Sequence, residues 1–326
     1  MAVGLVGVGR AGAAVGAALA AAGHRIEAVH VRSTSSVLRA ARLFPDARPE
    51  SVAGVAAGAD LVLLAVPDDA LAAVVGTFVT EGGSRSGLVV GHLAGRYGLA
   101  VLEPVLAGGA ARLALHPIMT LAGADDDRER LRGAPFGVTA DDAAAAVAAR
   151  IVRAVGGRSV PVPEAGREIY HAALVMAGNY GATLVAAGVD LLARAGVAEP
   201  AAALGPLVHA QVSGGLAVGV GAMTGPVRRG DVETIRGHLR SLAALQSPGD
   251  GGTTARPTAA ELPGAVIDAY RALGLLTAEY LEAEGLVEPG QVQEVVALLS
   301  AYPSRTSQQP GESGVVAASR ERRNAG

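Results

Sequence analysis

Three glycines constrain this chain more than any other feature. Gly7, Gly9 and Gly12 are spaced G-x-G-x-x-G, from the end of the apolar run Ala2–Val8 into the head of the alanine-rich stretch Ala11–Ala22. That order, strand then tight turn then helix, gives each glycine a task. Gly7 permits the turn, Gly9 lets a ligand approach bare backbone, and Gly12 lets helix and strand pack closely. The helix that opens at Arg10 and Ala11 presents free N–H groups and partial positive charge, which suits a pyrophosphate.

The same alternation continues. Arg25–Val31 reads as a second strand, Ser36–Leu43 as a helix stopped by Pro45, and Ala59–Val66 as a strand buried on both faces. Asp68–Val79 and Tyr97–Leu106 read as helices and Gly87–Gly91 as a strand. Ala111–Leu115, Phe136–Thr139 and Arg158–Pro163 follow as strands or connectors, with a helix over Asp141–Val155. Strands alternating with helices predict an α/β fold with a doubly wound Rossmann sheet. After Pro163 the pattern is helical only: Glu164–Gly196, Pro200–Val220, Gly230–Leu245, Gly264–Gly285 and Gln291–Tyr302. The expected organisation is a nucleotide-binding domain over 1–162, a helical substrate and dimerisation domain over 163–302, and a polar, disordered tail over 303–326. Gln246–Pro263, rich in Gly, Pro and Thr, reads as a mobile loop.

The residues after the second strand choose the cofactor. An NAD site places a carboxylate there to accept from the ribose hydroxyls. This chain has Arg32-Ser33-Thr34-Ser35, beginning 20 residues after Gly12. A guanidinium with hydroxyls suits a 2′-phosphate, so NADP is expected. Ser33 and Thr34 equally suit the N-cap of the next helix, and the two roles are compatible. Val66 and Pro67, ending the central strand, and Gly91–Gly95, ending a later one, are expected to line the nicotinamide side of the cleft. His92 in that turn reads as functional or as loop packing.

Absences narrow the chemistry. The chain has no cysteine, which removes disulfides, thiolate nucleophiles and Cys-based metal sites. All 27 basic residues are arginine, so a lysine ammonium or Schiff base is unavailable. No H-x-x-x-H or carboxylate cluster suggests a metal. A net charge of −3 and the lack of aromatic clusters speak against nucleic acid. Ile169–Val189 and Ala201–Val227 are long and uncharged enough to resemble membrane spans. Interior His171, Asn179 and Tyr180 and three glycines in the first, and two prolines and several glycines in the second, favour helices buried in a domain or dimer instead. A cytoplasmic homodimer formed through the helical domain is expected.

Three blocks then carry a resemblance: His116-Pro117-Ile118-Met119-Thr120; Tyr170-His171-Ala172-Ala173 with Asn179-Tyr180; and Thr224-Gly225-Pro226-Val227-Arg228-Arg229-Gly230-Asp231 with His238-Leu239. The first half looks like the Rossmann-like domains of the 6-phosphogluconate dehydrogenase superfamily. The second half resembles DUF2520, a domain that follows such domains in predicted oxidoreductases. The resemblance covers roughly Ala2 to Tyr302. It implies an all-helical second domain and, by its relatives ketopantoate reductase and pyrroline-5-carboxylate reductase, reduction of a small C=O or C=N group. It also implies that His171 stands where relatives carry a catalytic lysine, and that Val175 and Asn179 take asparagine positions.

His171, Val175 and Asn179 are spaced i, i+4, i+8, roughly one helix face. His171 is the candidate general acid and Asn179 the candidate orienting group, against the alternative that both are polar packing residues. His116, Thr224 and Arg229 are candidate substrate contacts, and Arg228 or Arg229 could pair with a carboxylate. The expected activity is NADPH-dependent reduction of a small 2-oxo acid such as ketopantoate. The alternatives are imine reduction, deazaflavin-linked hydride exchange, and an NADP-binding sensor or scaffold without turnover.

Overall fold

The computed structural model describes residues 1–123, 126–245 and 264–302. It divides into two compact units, Met1–Gly181 and Ala182–Gly326.

The first unit opens with β1 (Ala2–Val6), α1 (Arg10–Ala21), β2 (Arg25–His30), α2 (Thr34–Leu43), β3 (Arg48–Pro49), β4 (Leu61–Leu64), α3 (Asp68–Thr80) and β5 (Val89–His92). It continues through β6 (Ala111–Pro117), α4 (Asp127–Arg130), β7 (Pro135–Ala140), α5 (Asp142–Ala154) and β8 (Arg158–Pro161). The eight strands form one sheet in the order β3-β2-β1-β4-β5-β6-β7-β8, parallel except where β7 runs against β6. Every residue of β1 and β4 is buried, as both faces are covered. Because side chains alternate along a strand, Leu5, Leu61 and Leu63 join Val15, Leu19, Phe136 and Ile151 on one side. Val6, Val62 and Leu64 join Leu71, Val75 and Phe78 on the other. The chain reverses its winding direction between β1 and β4, and their carboxyl ends open the crevice where such sheets bind ligands.

The sequence expectations hold for most elements, with three departures. Tyr97–Leu106 is not an α-helix: a 3₁₀ helix runs over Ala100–Gly108. Pro104 lies inside it, lacking the N–H and the room at the i−4 carbonyl that an α-helix needs. The two-residue strand β3 carries no periodic signal. And the helix expected from Gly230 begins later, with Asp231 as its N-cap, its carboxylate accepting from the Thr234 N–H at 3.1 Å.

A helical run over Glu164–Arg194 follows the sheet, comprising a 3₁₀ turn, α6 (Arg167–Leu174), a π turn (Val175–Tyr180) and α7 (Gly181–Arg194). The second unit continues with α8 (Pro200–Val218), α9 (Pro226–Arg229), α10 (Val232–Ala244), α11 (Ala265–Ala283) and α12 (Gln293–Ala301). Its core is small: Ile235, Leu239 and Leu242 of α10 against Ile267 of α11 and Val295 and Leu299 of α12. The runs Glu164–Arg194 and Pro200–Arg229 are long and apolar enough to cross a membrane, by length and composition only. Among the described residues, nothing buries the side chains of their most apolar windows. The expectations for Gln246–Pro263 and for the 303–326 tail lie outside the described residues.

Candidate active site

The turn after β1 is built as its glycines require. Gly7 has φ +93°, and a β-carbon there would stand 2.4 Å from the Ala65 carbonyl oxygen. A β-carbon on Gly12 would stand 2.3 Å from the Gly7 carbonyl oxygen. Gly9 differs: nothing lies within 4 Å of the place a β-carbon would take, so its bare backbone faces open space at the N-cap of α1. The Gly7 N–H donates to the His30 carbonyl, and the Arg39 guanidinium donates to the Val8 carbonyl at 2.8 Å, tying the turn to β2 and α2.

A cleft of about 680 Å³ opens beside this turn, lined among others by Gly7, Gly9, Arg32, Ser33, Val66 and Pro67. Six of the residues expected to bind the cofactor therefore share one cavity. Ser33 also caps α2, accepting from the Ser36 N–H at 3.2 Å, so the cap and the cleft roles coincide. Thr34 begins α2 and is not among the lining residues, whereas Ser36 and His30 are. His30 was not singled out in the sequence; its Nδ1 is held by the Glu50 carbonyl at 2.9 Å. Arg10 sends its side chain elsewhere, into a recess with Arg39, Arg42, Gly123 and Asp127, leaving it and Ala11 only their backbone for the turn.

A second cluster sits on the same edge of the sheet. Strand registers align Val6, Leu64, His92 and Ala114, so His92 and His116 lie at the carboxyl ends of strands two and three places from β1, roughly 10 and 14 Å across. His92 is fully buried, accepts the Ala94 N–H on Nδ1 and therefore donates Nε2–H to the Gly98 carbonyl at 2.9 Å. Burial lowers its pKa to about 4. Of the two readings of His92, loop packing fits this geometry.

His116 is different. Its Nδ1 lies 2.8 Å from the Tyr170 hydroxyl, and its ring stands edge-on to those of Tyr170 and His171, with centroids 5.9 and 6.1 Å away. Burial, reinforced by His171, Arg167 and His92, lowers its pKa to about 4. Beneath them Arg167, only 2% exposed, donates to Thr139 Oγ1 and to the Ala114 and Gly137 carbonyls. Its Nη1 has no partner among the described residues. Loss of solvent raises the Tyr170 pKa, which the guanidinium opposes.

Asn179 lies in the π turn. Eight residues of pure α-helix overshoot two turns by about 80°, and the wider π turn takes up part of that excess, bringing Asn179 closer to the line of His171. The remaining candidates, Thr224 and Arg229, belong to the second unit, where both are exposed. Arg228 organises their loop by donating to the Gly221 and Met223 carbonyls at 2.9 Å. Arg229 approaches Asp231 only at 3.9 Å. Among the described residues no three His, Asp or Glu side chains are grouped to hold a metal.

Strand order, switch point and glycine turn define a Rossmann-like domain followed by a helical region. Residues 1–117 match the family model of the Rossmann-like domain, and residues 134–275 match that of DUF2520, a domain of unknown function. The two matches follow one another along the chain in the order that the sequence resemblance indicated. No curated protein matches it significantly. Among solved structures, a Bacteroides fragilis protein assigned as an NADP oxidoreductase is 23% identical, with TM-score 0.66, covering 85% of this chain and 98% of that one. Protein TM1727 of Thermotoga maritima is 18% identical, with TM-score 0.57 and coverage of 86% and 99%. The imine reductase of Streptomyces aurantiacus is 16% identical, with TM-score 0.51 and coverage of 92% and 93%. At these identities the likeness is one of fold.

Proposed function

We propose that the chain is an NADPH-dependent reductase of a small carbonyl compound. The observation that carries this reading is the cleft that Gly9 leaves open and that Arg32, Ser33 and Ser36 flank. Gly7, Gly9 and the first N–H groups of α1 would hold the pyrophosphate, and Arg32 with the two serines the 2′-phosphate. Val66 and Pro67 would wall the path toward the nicotinamide. The names of the Bacteroides and Streptomyces structures support the same assignment. The activity is proposed to be cytoplasmic.

The cofactor, when bound, supplies the hydride, which leaves negative charge on the substrate oxygen. His171 is the proposed proton donor to that oxygen and Asn179 the group that orients it. His116, Thr224 and Arg229 are proposed substrate contacts, with Arg229 suited to a carboxylate. A 2-oxo acid of the ketopantoate type is therefore the first substrate to try. An imine is the second, favoured by the fold shared with an imine reductase. NADPH oxidation by purified protein, followed across a panel of 2-oxo acids and cyclic imines, tests the reading. NADPH binding without oxidation on the whole panel would favour a sensor instead.

The working form is proposed to be a homodimer. In the second unit Leu207, Val212, Leu216 and Val218 are 56–86% exposed around α8, apolar surface that the described residues of one copy leave uncovered.

A further inference from the structure

The Tyr170–His116 contact has a directional consequence. We propose that Tyr170 is a positioning residue that holds His116 as the neutral Nε2–H tautomer, so that His116 turns a hydrogen-bond donor, and not an ionisable proton, toward His171.

The phenol is seated by its surroundings. Gly137 pairs with His116 across β6 and β7, and a β-carbon there would stand 2.3 Å from the Tyr170 oxygen. Only glycine leaves room for the hydroxyl at that position. The Arg167 guanidinium lies 5.7 Å from the Tyr170 ring centroid and is itself bound to the carbonyls of Ala114 and Gly137. One buried cation thus braces both strands and the ring that leans on His116.

The proton follows from donor and acceptor capacity. Tyr170 carries one O–H, and among the described residues its hydrogen-bond partner is His116 Nδ1. A phenol is the better donor of the two and an imine nitrogen the better acceptor. With Nδ1 accepting, the single proton of a neutral imidazole must sit on Nε2. The groups facing the ring are Arg167, Tyr170 and His171 from α6 and His92 from β5. None is a carboxylate that could stabilise an imidazolium. Glu164, the nearby acid, is engaged by the Leu99 and Ala100 N–H groups.

The Nε2 edge meets His171 over a bare backbone. A β-carbon on Gly95 would lie 3.0 Å from His116 Nε2 and 2.5 Å from His171 Cδ2. Resting on the reductase reading, this divides labour between two histidines. His116 Nε2–H stabilises charge as it builds on the substrate oxygen, and His171 delivers the proton and regains one from solvent.

The test uses the full chain labelled with ¹⁵N-histidine, without cofactor or substrate. Nitrogen spectra distinguish bare from protonated ring nitrogens, and His116→Gln assigns the signals. The expected result is a bare Nδ1 and a protonated Nε2 from pH 8 down to about 5. Tyr170→Phe, which keeps the ring and its guanidinium contact, should then show both tautomers while its melting temperature confirms folding. A protonated Nδ1 in the native chain, or an unchanged tautomer in Tyr170→Phe, overturns the proposal. Turnover separates this from the reductase reading. Failure of every carbonyl and imine to oxidise NADPH, with the tautomer as expected, sinks that reading alone. Where turnover exists, Tyr170→Phe should lower kcat about ten-fold, with KM for NADPH unchanged.

Discussion

The Glu164 carboxylate accepts the Leu99 N–H at 2.7 Å, holding the start of the 3₁₀ helix from 65 residues away. Its other oxygen takes the Ala100 N–H at 3.0 Å, so both orphan donors are met by one side chain. A β-carbon on Gly98 would fall 2.0 Å from that carboxylate. Glu164→Gln should therefore cost about 1 kcal/mol, the usual scale for a lost cap. Gly98→Ala should displace the same group, so the double variant should lose clearly less than the sum. Thermal or urea denaturation of the three variants measures the coupling, and strict additivity would separate the two sites.

Acid should destabilise the first unit through its buried histidines. His92 and His116 have folded pKa values of about 4, below the ordinary value of 6.5. Their neutral forms thus favour the folded state fully above pH 6.5, and that advantage drains as pH falls from 6.5 toward 4. The slope approaches ~1.4 kcal/mol per pH unit for each group inside the window. Melting temperature between pH 7.5 and 4.5 should fall steeply in the native chain and less so in His116→Gln. Equal slopes would place His116 in water.

His171→Ala should reduce kcat by about 10²–10⁴-fold with NADPH affinity unchanged, the range expected for a positioned acid. Melts with and without NADPH guard against a folding defect. A folded variant with normal turnover would reduce His171 to packing.

Leu216, 86% exposed near the end of α8, is the most exposed apolar residue of the proposed dimer surface. Leu216→Glu should convert a dimer to a monomer in light scattering at micromolar concentration. A native chain already monomeric there would remove the dimer.

Legibility in the sequence followed the range of the interactions. The G-x-G-x-x-G turn, its flanking strand and helix, and Arg32 could be read because glycine stereochemistry and burial periodicity act within a few residues. Tyr97–Leu106 misled because its apolar spacing outweighed Pro104. The π turn over Val175–Tyr180 has no pattern of its own. Tyr170 stands 54 residues from His116, and nothing local announces that its hydroxyl meets that ring above Gly137. For the same reason the sequence gave no hint of Arg39, which reaches the turn from α2.

The most direct test of the account is calorimetric titration of NADPH and NADH into the native chain and into Arg32→Ala. A charge-assisted guanidinium–phosphate contact contributes about 1.5–3 kcal/mol, or roughly ten- to a hundred-fold in affinity. The native chain should bind NADPH more tightly than NADH by that factor, and Arg32→Ala should lose the preference by weakening NADPH alone. Equal affinities in the native chain, or equal losses for both nucleotides in the variant, would contradict it.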